Sequence, residues 1–188
     1  MAIKTFTTGE VLTAADTNTY LANSGLVYIT SQTLSSTATN IVGCFSATYD
    51  TYLVLGQSMG VSSSPDLIGF RMLSGTTPLT AAQYYTALNG LSNTGAVNTI
   101  VVASNVGFTG RTMSTGADNS SYSFTFDNPF KARRTFAYGT SSSNGAQYYS
   151  WAGSSNVDNS NSYDGLQILS NSGYTISGTV TIYGYRKP

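Results

Sequence analysis

The pentapeptide Gly56–Gly60 (GQSMG) matches the G-x-S-x-G pattern of a serine nucleophile and follows the apolar run Tyr52–Leu55. In enzymes with this pattern the serine lies on a sharp turn between a strand and a helix, and a downstream histidine takes its proton. Here Val61–Pro65 (VSSSP) follows, which predicts a loop, and the chain contains no histidine. With 27 serines among 188 residues such a match arises easily, so it does not predict a nucleophile.

Carboxylates act without histidine in glycosidases, where two of them lie about 5 to 9.5 Å apart. The only glutamate, Glu10, lies outside the predicted β region, and the sequence pairs no two aspartates. Aspartate in turns and caps is the ordinary use of this residue, so we expect no catalytic residues and no enzyme. The aspartates considered are Asp50, Asp66, Asp118, Asp127, Asp158 and Asp164.

Metal sites are also unexpected from the residue types. The run 158–165 (DNSNSYDG) resembles a calcium loop but lacks the terminal bidentate glutamate of an EF-hand, and a solvated loop is the alternative. The absence of histidine and the single cysteine, Cys44, exclude a zinc site built from histidines or paired cysteines. We therefore expect no metal and no cofactor.

Charge is scarce in this chain. Eight basic and eight acidic residues give a net charge of zero, which argues against a nucleic-acid partner. The one basic cluster is Lys131, Arg133 and Arg134. It could bind a phosphate or a sulfated sugar, but charges that protect a strand edge or pair across a subunit contact are favoured.

The segment from residue 26 onward has the pattern of strands. Runs rich in Tyr, Ile, Val, Phe and Thr alternate with clusters of Gly, Ser, Asn and Asp, and no second helix is predicted. This pattern predicts an all-β fold, a two-sheet antiparallel sandwich or jelly roll, over residues 26–188. The predicted strands are 26–34, 40–46, 50–56, 67–73, 83–88, 97–104, 121–127, 133–139, 146–152, 166–169 and 174–185.

Residues 1–25 form a separate N-terminal segment with one short predicted helix. Thr13 can cap it and Gly25 lies just beyond its end. A helix of about ten residues is marginal alone and needs a surface to pack on. It is either a strap across its own domain or, as we favour, a docking element on a larger assembly. No apolar run predicts a secretory signal or membrane insertion.

Aromatic residues are unusually abundant, with 14 tyrosines, 8 phenylalanines and one tryptophan. Tyr148, Tyr149 and Trp151 lie between two loops rich in serine and asparagine, at 140–145 and 153–162. Adjacent strand residues point to opposite faces, so one of the two tyrosines should reach solvent or an interface. These three residues are candidates for contact with a host glycan; packing in the core or at a subunit interface is the alternative.

Several segments together resemble a family of bacteriophage proteins. Lys4–Leu21 (KTFTTGEVLTAADTNTYL) resembles the N-terminal segment of small tail and fibre proteins of tailed phages. Ser46–Leu55 (SATYDTYLVL) with Ile68–Leu73 (IGFRML) resembles the paired strands of phage-borne jelly-roll domains, and Gly178–Arg186 (GTVTIYGYR) resembles their closing strand. Phe126–Phe130 (FDNPF) lies where that family carries an Asn-Pro.

The resemblance implies a trimeric jelly roll of the tumour-necrosis-factor type, with an N-terminal segment inserted into the virion. Tyr183 and Tyr185 match the closing strand, which in such trimers runs near the three-fold axis. The partners it implies are two further copies of the chain, other virion proteins and a host-surface glycan, and the location is the particle surface after assembly in the host cytoplasm. The residues that match the attachment segment are Phe6, Val11, Leu12, Tyr20 and Leu21.

From these observations we expect a non-enzymatic structural protein of a tailed-phage virion. It should form a short trimeric fibre or knob, attached through its N-terminus, on the tail rather than the capsid, with its β domain available for host-surface adhesion. A capsid decoration or cement protein (a head fibre) is the first alternative. A free carbohydrate-binding module or depolymerase is the second.

Overall fold

A computed structural model describes residues 7–11, 13–16, 25–63, 66–112, 120–144 and 148–187. The described chain is all-β, as predicted, with two antiparallel sheets packed as a sandwich. Among these residues no helix is long and apolar enough to cross a membrane. The strands are β1 Leu26–Leu34, β2 Ala38–Ile41, β3 Thr51–Val61, β4 Asp66–Ser74, β5 Thr77–Pro78, β6 Tyr84–Ser92, β7 Val97–Ser104, β8 Gly107–Thr112, β9 Ser120–Asp127, β10 Thr135–Ser143, β11 Tyr149–Val157, β12 Gly165–Ser170 and β13 Ile176–Tyr185.

The two sheets differ in width. The large sheet has eight strands in the order β1-β13-β3-β9-β10-β11-β6-β7. The small sheet has five strands in the order β2-β12-β4-β5, and β8 pairs with the same edge of β4 as β5. Because most strands alternate buried and exposed residues, the large sheet turns one face toward the small sheet and the other toward solvent.

The core between the sheets is rich in aromatic rings. Phe70 of the small sheet packs edge-on against two rings of the large sheet, Phe126 at 4.9 Å and Tyr84 at 5.9 Å between ring centroids. All three side chains are fully or almost fully buried. The Tyr84 hydroxyl also accepts a hydrogen bond of 2.8 Å from the Met72 amide, which satisfies its oxygen inside the core.

All eleven predicted strands overlap an observed one, but two observed strands are not among them. The short β5 and the β8 segment (GFTGRT) were missed, the latter because its two glycines weaken the strand pattern. The strand observed in place of the predicted 40–46 is shorter and begins earlier, at Ala38–Ile41. It ends there because Gly43 has a positive φ of 66° and forms a turn after Ile41. Local pattern therefore located the strands better than it located their ends.

The predicted N-terminal helix is not supported. A single helical turn, α1, covers Ala14–Asp16, and residues 17–24 lie outside the described residues. The side chains described in this segment, 7–11 and 13–15, are all exposed, including the apolar Val11 at 77%. No side chain described before position 25 is therefore buried in the sandwich.

Gly90 of β6 lies opposite Trp151 of β11, and the indole ring covers it. A Cβ atom at position 90 would lie 2.6 Å from the ring carbon Cδ2 of Trp151, closer than side chains pack. Because the indole is buried, with 2% of its surface exposed, it has little room to move away.

We expect Gly90→Ala to lower the free energy of unfolding by about 1–3 kcal/mol, since the added methyl overpacks the core. The matched control is Asn89→Ala, the next residue on the same strand, whose side chain is exposed. It should change stability by less than about 0.5 kcal/mol. Urea denaturation of both variants measures the difference, and equal stabilities would contradict this account of the core.

Candidate functional site

The Gly56–Gly60 match lies inside β3, not at a turn between a strand and a helix. Ser58 has a positive φ of 51°, at a bulge where the pairing of β3 with β9 shifts between Gly56 and Met59. Its unusual backbone is therefore a property of the bulge. The arrangement that exposes a nucleophilic serine above a helix is not formed.

Five of the six aspartates considered above lie within the described residues, and each serves as a hydrogen-bond or ion-pair partner. The two in the run 158–165, Asp158 and Asp164, bond to different parts of the chain, so they do not converge on one point. Within the described ranges no group of three or more His, Cys, Asp or Glu could hold a metal ion. Asp118 lies outside these ranges. The partners are Lys131 and Lys187 for Asp50, Ser170 and Ser172 for Asp66, Thr51 for Asp127, Arg134 for Asp158 and Gly75 for Asp164.

The predicted basic cluster is divided between two ion pairs and one exposed side chain. Lys131 Nζ lies 2.6 Å from a carboxylate oxygen of Asp50, and Arg134 Nε lies 2.6 Å from one of Asp158. Arg133 is exposed. The pairs lie within one chain, so Lys131 and Arg134 stabilise loops rather than projecting together toward an anion.

Asp50 connects the ends of three neighbouring strands of the large sheet. It precedes β3, Lys131 follows β9, and Lys187, whose Nζ lies 2.7 Å from Asp50, follows β13. The ammonium group of Lys131, and then that of Lys187, holds the pKa of the Asp50 carboxyl below its usual value. Since the charged form is favoured in the folded state, this carboxylate stabilises the fold at neutral pH.

We expect Asp50→Asn to lower the free energy of unfolding at pH 7 by about 0.5–1 kcal/mol, a modest loss because these side chains are over a third exposed to water. Because the pKa of the Asp50 carboxyl is lower in the folded chain than in the unfolded chain, its contribution to stability is complete above the pKa it has when unfolded. That contribution is lost as the pH falls through the pKa it has when folded. The difference in free energy of unfolding between wild type and variant should therefore disappear at acidic pH. Denaturation curves between pH 7 and pH 2 measure it.

The control for this experiment is Asp158→Asn, which removes a single, more exposed pair. It should cost less at pH 7. If the wild type were still more stable than Asp50→Asn by the same amount at pH 2, the role given to the carboxylate would be contradicted.

The one cysteine is part of the core. Cys44 is 3% exposed, and its Sγ donates a weak hydrogen bond to the Ile41 carbonyl at 3.4 Å. Burial raises the pKa of this thiol to about 12, so almost none of it is thiolate at neutral pH. The position and the protonation state of Cys44 are those of a structural cysteine.

Of the three candidate glycan-contact residues, only Tyr148 presents its ring to solvent. Trp151 is 2% exposed and Tyr149 is 9% exposed, and their rings stack on each other with centroids 5.9 Å apart. Trp151 is therefore corrected to a core residue, since both strand neighbours and the small sheet cover the inner face on which it lies. Tyr148 is 57% exposed.

Tyr148 forms part of a groove of about 540 Å³ at one end of the large sheet, which we call the serine groove. It is formed by the two terminal residues of each of four adjacent strands, β9, β10, β11 and β6, with the turns beyond them. None of its described lining residues carries a charge. They are Ser58, Leu91, Ser92, Asn93, Ser120, Ser121, Ser142, Ser143, Asn144, Tyr148, Tyr149 and Ser150.

The solvent face of the large sheet carries a second candidate surface, which we call the aromatic band. Strand pairing places Tyr28, Tyr183 and Tyr138 in one register row, and the rings of Tyr28 and Tyr183 meet edge-on at 6.0 Å. The adjacent row holds Tyr185 on β13, with Phe136 and Tyr85 further along the sheet. The band thus consists of Tyr28, Tyr85, Phe136, Tyr138, Tyr183 and Tyr185.

The aromatic band is exposed although it is apolar. Tyr28, Tyr85 and Phe136 are 59%, 48% and 45% exposed. Burial, the nearby Asp127 carboxylate and Tyr185 raise the pKa of Tyr138, so its hydroxyl is close to both groups. Tyr183 and Tyr185, the two predicted interface residues, lie on this face, Tyr185 exposed and Tyr183 half-buried.

The other end of the same face is polar. The next register rows are made mostly of small hydroxyl and amide side chains, and the hydroxyls of Ser121 and Ser142 hydrogen-bond across β9 and β10 at 3.0 Å. These rows lead into the serine groove, which shares Ser121, Ser142 and Ser150 with them. One sheet face therefore combines an aromatic half and a hydroxyl half.

Sequence reasoning missed most of both surfaces. Phe136 and Tyr138 are two residues apart and separated by Ala137, and a small residue between two aromatics is a pattern that could have placed both rings on the outer face. The groove serines Ser120 and Ser143 carry no comparable signal. They become neighbours only because β9 pairs with β10.

Of the predicted attachment residues, Val11 is exposed. The other four, Phe6, Leu12, Tyr20 and Leu21, lie outside the described residues. Their role stays a prediction.

No protein-family model matches the sequence, and no curated protein is significantly similar to it.

Proposed function

We propose that the sandwich is a jelly roll with two insertions. The strand order supports this: β1-β13-β3-β9 of the large sheet faces β2-β12-β4-β8 of the small sheet. Taken in chain order, these eight strands pass between the sheets in the sequence of a jelly roll, with two Greek keys. The inserted strands, β6 and β7 after β4 and β10 and β11 after β9, widen the large sheet from four strands to eight.

We further propose that the chain is a non-enzymatic structural protein of a tailed-phage virion. It forms a homotrimer as a short fibre or knob on the tail, is attached through residues 1–25, and uses its β domain for host-surface adhesion. The observation that carries the proposal is the aromatic band, because a row of exposed rings across a sheet marks a surface that another protein covers. The resemblance of the sequence to phage fibre proteins supports the virion assignment.

The size of the band suits an oligomer interface. Six aromatic side chains of about 200 Å² each, roughly half exposed, offer on the order of 600 Å² per subunit. A standard interface takes about 800 Å² from each partner, which the flanking Leu26 and Val101, both exposed, help to supply. The band therefore has the area of a subunit contact.

The chemistry of the band suits contact between identical copies. Near a three-fold axis a side chain meets its own copies, so a charged group there would be repelled by like charges. Tyr183 and Tyr185 each combine an apolar ring with a hydroxyl. The closing strand β13 can thus lie beside its own copies without electrostatic cost.

The N-terminal segment fits an attachment role better than a strap. A strap across the sandwich would bury its apolar side chains, but Val11, Ala14 and Ala15 are exposed. These residues are available to pack on a different protein.

We expect the full chain at micromolar concentration to have three times the 19.8 kDa mass of one chain by sedimentation equilibrium. The double variant Tyr138→Ser, Tyr183→Ser removes two central rings of the band and should dissociate the trimer to monomers, since it deletes apolar contact area. Circular dichroism checks that the variant stays folded.

The matched control is Tyr148→Ser, because Tyr148 is as exposed as Tyr28 but lies outside the band. It should leave the trimer intact. A monomeric wild type would refute the trimer, and a trimer that survives the double substitution would refute the band as its interface.

Deletion of residues 1–24 tests the attachment role. We expect the truncated chain to keep the melting temperature and the oligomeric mass of the full chain, because the side chains described before residue 25 are all exposed. A strap would predict a lower melting temperature. Thermal denaturation and sedimentation of the two forms distinguish these outcomes.

A further inference from the structure

The serine groove has the chemistry of a binding site for an uncharged, hydrogen-bonding molecule. Nine of its twelve described lining residues are serine or asparagine, so it offers hydroxyls and amides that both donate and accept. It contains no described lysine or arginine to hold an anion and no carboxylate to hold a cation. Its volume of about 540 Å³ falls within the range of small-molecule sites.

Two hydroxyls in the groove lack hydrogen-bond partners among the described residues. Ser143 is 5% exposed, and its Oγ, like that of Ser120 on the neighbouring strand, is buried without a partner. Ser120 and Ser143 are paired directly across β9 and β10, so their side chains lie on the same face. A buried hydroxyl without a partner costs about 1–3 kcal/mol, which a ligand hydroxyl would recover.

Tyr148 supplies an aromatic surface at the rim of the same groove, and its backbone is held in place. The amide of Asn93 donates to the Tyr148 carbonyl at 3.0 Å, and the Tyr148 amide donates to Asn93 Oδ1 at 3.4 Å. These bonds join the turn after β6 to the residue before β11. Because the backbone of Tyr148 is already held, only its side-chain torsions have to be ordered when a ligand stacks on the ring.

The groove is also extended. One register row, Ser120, Ser143, Tyr149 and Ser92, crosses four strands on the inner face of the large sheet and lines the groove at the end of the sheet. Ser121, Ser142 and Ser150 line it from the solvent face. Four strands at a spacing of about 4.8 Å give it a length of about 14 Å, which suits a short chain of sugar rings rather than a single small molecule.

We propose that the serine groove binds an uncharged oligosaccharide. Tyr148 stacks on the apolar face of a pyranose ring, and Ser143 and Ser120 exchange hydrogen bonds with sugar hydroxyls. The proposal names the ligand class of the adhesion function proposed above, and it rests on that function. It does not depend on the trimer, because the described groove residues all belong to one chain.

Titration calorimetry of the full chain tests this with two sets of probes. The uncharged set is maltohexaose, cellohexaose and mannohexaose; the charged set is hexagalacturonate and a heparin hexasaccharide. We expect at least one uncharged probe to bind and the charged probes to bind about tenfold more weakly or not at all. Failure of all three uncharged probes, or equal binding of a charged one, would overturn the proposal.

Variants locate the site. Tyr148→Ala should weaken binding of the positive probe by about tenfold or more, while Tyr28→Ala, an equally exposed tyrosine of the aromatic band, should leave it within about twofold. For the oligomeric mass the expectation is reversed: Tyr148→Ala should leave the trimer intact, whereas Tyr28→Ala should weaken it. A variant that loses sugar binding but stays trimeric, or one that dissociates but still binds sugar, tells the two proposals apart. Equal losses of sugar affinity in Tyr148→Ala and Tyr28→Ala would refute the groove as the binding site.

Ser143→Ala separates ligand binding from folding. Because the Ser143 hydroxyl has no partner within the described chain, its removal should leave the melting temperature unchanged or raise it, while sugar affinity falls by about threefold or more. A lower melting temperature with unchanged affinity would show that Ser143 is structural and would count against its role in the groove.

Discussion

The contact of Phe70 with Phe126 and Tyr84 joins the two sheets, and the rest of the structure depends on it. The three rings come from β4, β9 and β6 and are almost completely buried. In a strand, a slip of one residue moves every side chain to the opposite face, so such a slip in β4, β9 or β6 would take its ring out of the core. The core thereby determines which side chains line the solvent face of the large sheet.

That face is divided because the strands differ in composition along their length. Near one end, aromatic side chains recur on β1, β13, β10 and β6, and pairing aligns them into the aromatic band. Toward the other end, serine and threonine occupy the equivalent positions and continue into the serine groove. One sheet can therefore serve a subunit contact and a ligand at two places, without either competing for the same side chains.

Several charged side chains in the described residues form internal links, while hydroxyl groups cover much of the solvent face of the large sheet. Asp50 connects three strand ends through Lys131 and Lys187, and Arg134 pairs with Asp158. Asp66, buried in the core region, accepts hydrogen bonds from Ser170 and Ser172. Among the described residues, neither proposed binding surface contains an ion pair, which favours neutral partners and contacts that depend weakly on salt.

The sequence by itself determined the all-β class, the positions of most strands and the absence of histidine chemistry, since composition and a period of two are local properties. It also placed Tyr183 and Tyr185 on one face, because residues two apart in a strand must share it. Only the tertiary structure decided which aromatics reach water. Trp151, between two polar loops, is buried because β6 brings Gly90 beneath its ring, and Ser120 and Ser143 become neighbours only when β9 pairs with β10. Burial and pairing depend on segments distant in the chain, and no local pattern contains that information.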